Sequence, residues 1–213
     1  MSNFTHGYIP EQTQEFKNNK GVFDPAEINQ LVKDDLWSMG GQLELIQTQT
    51  ASNVAAVDFT TLGEYDMHLI TWSDLQCLND GQALCLRISD DGGASFQSSN
   101  YHFAYQYIRG ASTNAVYAST SVTFLELQRF NGDQARENTN GHAWIYGLGK
   151  SQYAFASSHA AYISEHGENA TYFGGGLHRG HKRVDTLRVL ASGGNITTAN
   201  GISLYGVRLH YGS

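Results

Sequence analysis

The clearest pattern in the sequence is an alternation of aromatic and smaller residues between positions 101 and 107. One face of an extended chain there would carry four aromatic side chains, Tyr101, Phe103, Tyr105 and Tyr107. A period of two residues predicts a β-strand with one buried face. An apolar run at 83–88 precedes it across a polar turn, which predicts a hairpin. Because so much aromatic surface is not stable in water on an isolated hairpin, other strands must cover it.

Similar apolar or alternating runs follow one another along most of the chain. They predict about ten to twelve short strands, at 43–50, 55–59, 65–72, 75–78, 83–88, 101–108, 121–130, 143–148, 153–162, 168–176, 185–190 and 202–209. The stretches between them are expected to be loops or turns, among them 110–120, 132–141 and 191–200. Many short strands without a repeat of fixed period are typical of a sandwich. Residues 42–213 are therefore predicted to form an all-β, jelly-roll-like antiparallel β-sandwich.

Residues 1–41 have a different character and form a separate segment. The first 20 residues are polar and predict an extended arm, whereas 25–37 has the pattern of one short amphipathic helix. Asp24 is placed to cap this helix, Pro25 suits its first position, and Glu27 completes a capping box. The apolar residues that would attach this segment are Phe23, Ile28, Leu31, Val32, Leu36 and Trp37. The segment is expected either to pack on its own sandwich or to attach the protein to another subunit.

Composition and charge narrow the classes of function. Of the 213 residues, 15% are charged, and the formal net charge is −7. Because phosphate neutralisation dominates affinity for nucleic acids, this acidic balance argues against a nucleic-acid partner. No apolar run approaches the roughly 18 residues of a membrane-spanning helix, so membrane insertion is not expected. The N-terminus lacks the charged and apolar regions of a signal peptide, which predicts assembly in a cytoplasm.

The two cysteines, Cys77 and Cys85, flank a turn at 79–81. A hairpin there would bring them near each other, which leaves a disulfide open as an alternative. A cytoplasmic origin favours free thiols. Two cysteines are also too few for a zinc site without distant histidines.

The turn at 89–96 has the spacing of a known motif. Ser89, Asp91, Gly93 and Ser95 match the Asp-box turn of sialidases, but a sialidase carries several copies and this chain has one. The aspartate is expected to accept hydrogen bonds from the turn while the glycines adopt positive φ. We interpret this stretch as a structural corner.

The groups that suggest metal binding or catalysis do not form a complete site in the sequence. His178 and His181 have a two-residue gap and His166 lies near them, but no third ligand stands at ordinary spacing, so no metal is predicted. A glycosidase pair would have to come from four carboxylates, Asp90, Asp91, Glu165 and Glu168. The chain has no nucleophile elbow, phosphate loop or zinc-protease motif. We therefore predict a protein without catalytic residues or a cofactor.

A binding surface fits the loop composition better. Aromatic, amide and glycine residues are concentrated in 131–144 and 172–183, a mixture that gives rigid contact area and adaptable hydrogen bonds. Aromatic rings stack on the apolar faces of sugars while amides bond their hydroxyls. The predicted ligand-binding residues are Asn131, Arg136, Asn140, His142, Trp144, Tyr172, His178, Arg179 and His181. The alternative is that both stretches are ordinary exposed loops.

Three stretches of the chain resemble a known group of proteins. They are 20–37, the run 65–72 continuing into 80–96, and the C-terminal pair 186–190 and 202–207. In their order and spacing they resemble β-sandwich proteins of tailed-bacteriophage virions, found in tail fibres, spikes and head appendages. The resemblance covers most of the chain but carries no catalytic residues with it.

That resemblance implies a non-enzymatic virion protein assembled in the host cytoplasm. Such proteins attach to other virion proteins through an N-terminal segment, expose the sandwich and often form homotrimers. The expected role is recognition of a host cell-surface glycan by a tail fibre or spike. The alternatives are a capsid or tail decoration protein that stabilises the particle through subunit contacts, and a glycan-degrading enzyme.

Overall fold

The computed structural model describes residues 43–110 and 113–207, together with Ala26, Ile28, Gln30 and Leu31. The chain divides into two compact units, Met1–Gly40 and Gly41–Ser213. In the first unit the four described residues are helical, with Ile28 and Leu31 half-buried and the other two exposed. These positions agree with the predicted amphipathic helix. The arm and the other predicted attachment residues, Phe23, Val32, Leu36 and Trp37, lie outside the described residues.

The second unit is built from strands. In chain order these are β1 (Glu44–Val54), β2 (Ala56–Phe59), β3 (Met67–Cys77), β4 (Gln82–Ser89), β5 (Tyr101–Arg109), β6 (Thr113–Val122), β7 (Leu125–Asn131), β8 (Thr139–Tyr146), β9 (Ala154–Ile163), β10 (Asn169–His178), β11 (Thr186–Ala191) and β12 (Ile196–Val207). They form an eight-stranded sheet in the order β1-β12-β3-β8-β9-β10-β5-β6 and a four-stranded sheet in the order β2-β11-β4-β7. The two antiparallel sheets pack as a sandwich, which confirms the predicted all-β fold.

The sequence-based prediction was wrong about several connections. The expected loop at 110–120 is largely strand β6, which pairs with β5 from Arg109↔Thr113 to Tyr101↔Val122. Strand β8 begins inside the expected loop at 132–141, β12 begins inside the expected turn at 191–200, and the expected strand 75–78 is the end of β3. These segments lack a regular alternation of apolar and polar residues, so the sequence does not mark them as strands. Backbone pairing with a neighbouring strand determines their conformation instead.

The core lies between the inner faces of the two sheets, and the aromatic side of β5 contributes to it as predicted. Tyr101, Phe103, Tyr105 and Tyr107 are all buried. The Tyr101 hydroxyl accepts a hydrogen bond from the Ile88 N–H at 2.9 Å and donates one to the Gln97 carbonyl at 3.2 Å. These bonds join the eight-stranded sheet to β4 and to the turn that follows it. A buried tyrosine hydroxyl with both partners avoids the cost of an unpaired polar group.

Three consecutive glycines in β10 let the strand approach its neighbours closely. The rings of Tyr105 and Tyr172 lie 4.6 Å apart between the sheets. A Cβ added at Gly174 would lie 2.3 Å from the Cβ of Tyr105, and one added at Gly176 would lie 2.2 Å from the carbonyl oxygen of His102. Glycine in a strand interior often marks a close backbone approach of this kind.

Both cysteines are buried free thiols, as predicted. Burial raises the pKa of the Cys77 thiol to about 12 and also raises the pKa of Cys85. The Asn131 amide donates a weak hydrogen bond to the sulfur of Cys77 at 3.6 Å. The two side chains therefore behave as small apolar groups of the core.

The turn after β4 is a structural corner, as predicted. The Asp91 carboxylate accepts hydrogen bonds from the Ser95 hydroxyl at 2.5 Å, the Ser89 hydroxyl at 2.7 Å and the Ser95 N–H at 2.9 Å. These bonds lower the pKa of Asp91 to about 2. Gly92 and Gly93 have φ values of 73° and 85°, a region that suits glycine. Asp91 is thus engaged within its own turn.

Buried His68 is expected to make stability depend on pH. Burial lowers the pKa of His68 from its ordinary 6.5, although the bond from its Nε2 to the Leu62 carbonyl at 2.9 Å opposes the shift. Below pH 6.5 the unfolded chain binds a proton that the folded chain does not. The stability contributed by neutral His68 is therefore complete above that pH and is lost as the pH falls, by at most about 1.4 kcal/mol per pH unit.

Urea unfolding at about pH 7.5 and about pH 5.5 measures this effect. His68→Gln keeps an amide donor for the Leu62 carbonyl but does not titrate. The variant should lose less stability between the two pH values than the wild type loses. Equal losses in the two proteins would contradict the assignment to His68.

Candidate functional site

The eight-stranded sheet has one face that packs on the smaller sheet and one face, here called the outer face, that points away from it. At its centre, side chains of β3, β8 and β9 surround an open cavity of about 560 Å³. We call this cavity the tryptophan groove; its residues are Leu69, Thr71, Asn140, Gly141, His142, Trp144, His159, Ala160 and Ala161. Strand register brings them together, because Trp144 is paired with Leu69 and His142 with both Thr71 and His159.

Aromatic and imidazole rings cross the strands beside the groove. The rings of His142 and His159 lie 6.0 Å apart, and those of His159 and Phe173 lie 6.5 Å apart at 88°. Trp144 and His142 are half-buried, whereas Phe173 is 40% exposed. The groove therefore offers ring faces for stacking together with imidazole, amide and hydroxyl groups for hydrogen bonds.

The outer face carries almost no charge around this groove. In β3, β8, β9, β10 and β5 the Lys, Arg, Asp and Glu residues are Asp74 in β3, whose N–H donates to the Oδ1 of Asn140 at 2.9 Å, and Arg109 at the end of β5. Its guanidinium pairs with Glu168 at 2.6 Å. A protein of net charge −7 thus exposes a surface with few charges here. Such a surface favours an uncharged ligand, since a charged group would lose hydration without gaining a partner.

Three of the predicted binding residues lie in the groove, although not in a loop. Asn140, His142 and Trp144 belong to strand β8 and alternate on its outer face. The prediction that 131–144 is a single binding loop was therefore wrong in its structure. The strand holds the three side chains more rigidly than a loop would.

Three other predicted residues cluster at one end of the sandwich. His178 lines a pocket of about 200 Å³ with His181, Asp90 and Lys182. Arg179 and His181 both lie against the ring of Tyr153, at 5.9 Å and 4.8 Å from its centroid.

The polar groups of this end pocket mainly contact one another. Asp90 pairs with Lys182 and accepts a hydrogen bond from the Gln97 amide at 2.9 Å. The Nδ1 of His178 accepts one from the Gly180 N–H at 3.1 Å, and burial lowers the pKa of His178. This pocket is thus smaller than the tryptophan groove and its charged groups are already paired.

The remaining predicted binding residues do not join either site. Tyr172 is fully buried and donates its hydroxyl hydrogen bond to the Glu126 carbonyl at 3.0 Å. Asn131 is 1% exposed, with its amide donating to the Gln82 carbonyl at 3.2 Å. For these two residues the prediction was wrong, because their side chains face the core. Arg136 is exposed in the connection before β8, with a φ of 77°.

Two ring-bearing residues in or beside the groove are not among the predicted binding residues. His159 and Phe173 lie on the outer face and extend the ring contacts beyond His142. Burial alternates along β9 and leaves His159 exposed, but the sequence at 154–163 carries apolar residues on both faces and does not mark the exposed side. Which strands lie beside it is determined by long-range pairing and is not visible in one sequence.

The carboxylates considered for catalysis have other contacts. Asp90 pairs with Lys182, Asp91 bonds its own turn, and Glu168 pairs with Arg109. Burial and the nearby charge of Asp80 raise the pKa of Glu165.

Among the described residues, one acidic group, formed by Asp80, Asp133 and Glu137, brings a carboxylate oxygen from each residue within 4.8 Å of the others.

Comparison with known proteins finds no matching family model, no matching curated protein and no matching solved structure. The part of the chain that the structure describes contains no helix long and apolar enough to span a bilayer.

Proposed function

We propose that this protein is a non-catalytic β-sandwich that recognises neutral glycans through the tryptophan groove. The observation that carries the proposal is the arrangement of Trp144, His142 and Asn140 beside His159 on an exposed sheet face with few charges. The faces of sugar rings are apolar and stack on aromatic side chains. Their hydroxyls bond to amide, imidazole and hydroxyl groups, and recognition of this kind requires no cofactor.

The proposal includes the setting that the sequence resemblance implies. The protein would be part of a tail fibre or spike of a tailed-bacteriophage virion and would bind a host cell-surface glycan. It would form a homotrimer and attach to other virion proteins through its N-terminal segment. The amphipathic placement of Ile28 and Leu31 in the described part of the helix supports such an attachment. A helix with one apolar stripe must bury that stripe against a partner.

A second function, a capsid or tail decoration protein, is favoured by one observation. The outer face exposes several large apolar side chains, Leu45, Ile108, Val116, Phe155 and Phe173. Exposed apolar groups on a sheet are a common feature of protein contact surfaces. In that case neighbouring virion subunits, and not a sugar, would cover the face.

A panel of polysaccharides tests the proposed function with the full-length protein. We expect binding to at least one uncharged polysaccharide, such as a glucan, mannan, galactan or neutral O-antigen. Hyaluronan and polysialic acid serve as anionic controls and should not bind, because the groove offers no cation to pair with their carboxylates. Isothermal titration calorimetry measures the affinity. If the folded protein binds none of the neutral polymers, glycan recognition is excluded.

A further inference from the structure

A second feature of the outer face lies beside the tryptophan groove. Strand register places four small residues in one row across β9, β10, β5 and β6, namely Ser157, Gly175, Ala104 and Ala118. Ser157, Ala104 and Ala118 are exposed, and Gly175 is half-buried. We call this row and its flanks the trough.

Larger side chains flank this row on both sides. On one side of the floor row, two positions away along each strand, lie Phe155 in β9, Leu177 in β10 and His102 in β5. On the other side, again two positions away along each strand, lie His159 in β9, Phe173 in β10, Gln106 in β5 and Val116 in β6. The two flanking rows are four residues apart along each strand, about 13 Å at the usual rise. The small residues therefore form the floor of a depression that runs across the strands.

The trough continues into the tryptophan groove. Trp144 is the register partner of Ser157, so it lies in the same row as the floor. Five strands spaced about 4.8 Å apart give a path of about 19 Å from Trp144 to Ala118. A single sugar ring occupies only part of such a path.

Charge and backbone bonding favour a sugar chain over a polypeptide. Strands β9, β10 and β5 are paired on both sides, so they have no free ladder edge to which an extended peptide could add. The strands under the trough have one charged residue apart from histidines, Arg109, which already pairs with Glu168. Small floor residues let pyranose rings approach the sheet. Phe173 supplies a stacking face at its side, and Gln106 supplies an amide, whose Nε2 also donates to the Oδ1 of Asn114 at 2.8 Å.

We propose that the trough and the tryptophan groove together bind several consecutive residues of an extended, uncharged glycan that lies across the strands. Trp144 stacks on one ring, and the floor from Ser157 to Ala118 holds the rings that follow it. This inference rests on the proposed function and adds to it that the protein recognises an internal stretch of a neutral polymer and not a single terminal sugar.

Oligosaccharides of different length test the inference. The probes are partial acid hydrolysates of the neutral polysaccharides in the panel, fractionated from one to eight residues. Ala104→Arg places a long side chain on the floor of the trough and leaves Trp144 in place. Ala94→Arg is the matched control, since Ala94 is an exposed alanine in the corner after β4.

We expect the wild-type affinity to rise with length and then level off. Ala104→Arg should weaken binding of a hexasaccharide by about tenfold or more, while binding of a disaccharide and the behaviour of Ala94→Arg stay unchanged. If affinity does not rise beyond the disaccharide and Ala104→Arg has no effect, the trough inference is wrong and glycan recognition stands.

Two further outcomes would also overturn the inference. If no neutral polymer binds the wild type, the proposed function fails and the trough inference fails with it. If Ala104→Arg changes the sedimentation coefficient of the protein in analytical ultracentrifugation without changing binding of the hexasaccharide, the trough is a contact between copies of this chain.

Discussion

Gly176→Ala is expected to lower the free energy of unfolding by about 3 kcal/mol or more. An added Cβ would lie 2.2 Å from the carbonyl oxygen of His102 and 2.3 Å from Cδ1 of Leu125. The first atom belongs to the backbone of β5, and the second side chain is buried between the sheets. Relief of these contacts therefore requires β10 to separate from β5 or the two sheets to move apart.

The size of this effect depends on how little the backbone of β5 and the packed side chains around Gly176 can move. Gly176 is the register partner of Phe103, whose ring belongs to the buried aromatic side of β5. Close-packed interiors do not accommodate an extra methyl group without displacing other atoms. A loss of this size is a large fraction of the total stability of an ordinary domain, about 5–15 kcal/mol.

Urea unfolding followed by tryptophan fluorescence measures this loss, and Gly149→Ala is the matched control. Gly149 lies in the connection after β8, and a Cβ added there meets no atom within 4 Å. The control should differ from the wild type by less than about 0.5 kcal/mol or be slightly more stable. If Gly176→Ala and the wild type unfold at the same midpoint urea concentration, β10 has more room around Gly176 than its contacts indicate.

Trp144→Ala should have the largest effect on glycan binding. We expect the affinity for a neutral polysaccharide to fall about thirtyfold, equivalent to about 2 kcal/mol, which is typical of a central aromatic contact. Trp144 lies between Leu69 and Ser157 in its row, where the tryptophan groove meets the trough. Replacing Trp144 with alanine removes the largest ring surface that the tryptophan groove and the trough share.

The fold should survive this substitution because Trp144 is half-buried on the outer face and not in the core between the sheets. Phe96→Ala is the matched control: Phe96 is also half-buried, but its ring lies 3.8 Å from the guanidinium carbon of Arg188, on the four-stranded sheet. The control should bind like the wild type, and Trp144→Tyr should keep part of the affinity. Equal affinity for Trp144→Ala and the wild type would place the sugar elsewhere.

The sandwich could be predicted from sequence because alternation reports directly on a strand with one buried face. The aromatic side of β5 was predicted correctly for this reason. Strand β6 was missed because the sequence at 113–122 has no regular alternation of apolar and polar residues, and its conformation depends on pairing with β5. An isolated sequence contains no information on such pairing unless the hydrophobic pattern also carries it.

The candidate site was predicted in part, and the errors have a physical cause. The glycine-rich stretch after Tyr172 was assigned both to a strand at 168–176 and to an exposed binding loop at 172–183. The strand is correct, and Gly174 and Gly176 are required by the close approach of β10 to β5. Glycine in place of larger residues suggests a mobile loop, but it also allows two strands to pack closely. Tyr172 was therefore assigned to the surface although it is buried. Trp144 and His142 were identified by residue type, which does not depend on whether they lie in a loop or a strand.

The pairing of β1 with β12 has a consequence for how the sandwich can be joined to other proteins. Glu44 and Gly206 are register partners, so the chain enters and leaves the sheet at positions about 5 Å apart. Strand β6 lies at the opposite edge, seven strands away, roughly 34 Å at the usual spacing. The sandwich can therefore be inserted into a surface loop of an unrelated carrier through two short linkers, with the trough displayed toward the side remote from the junction.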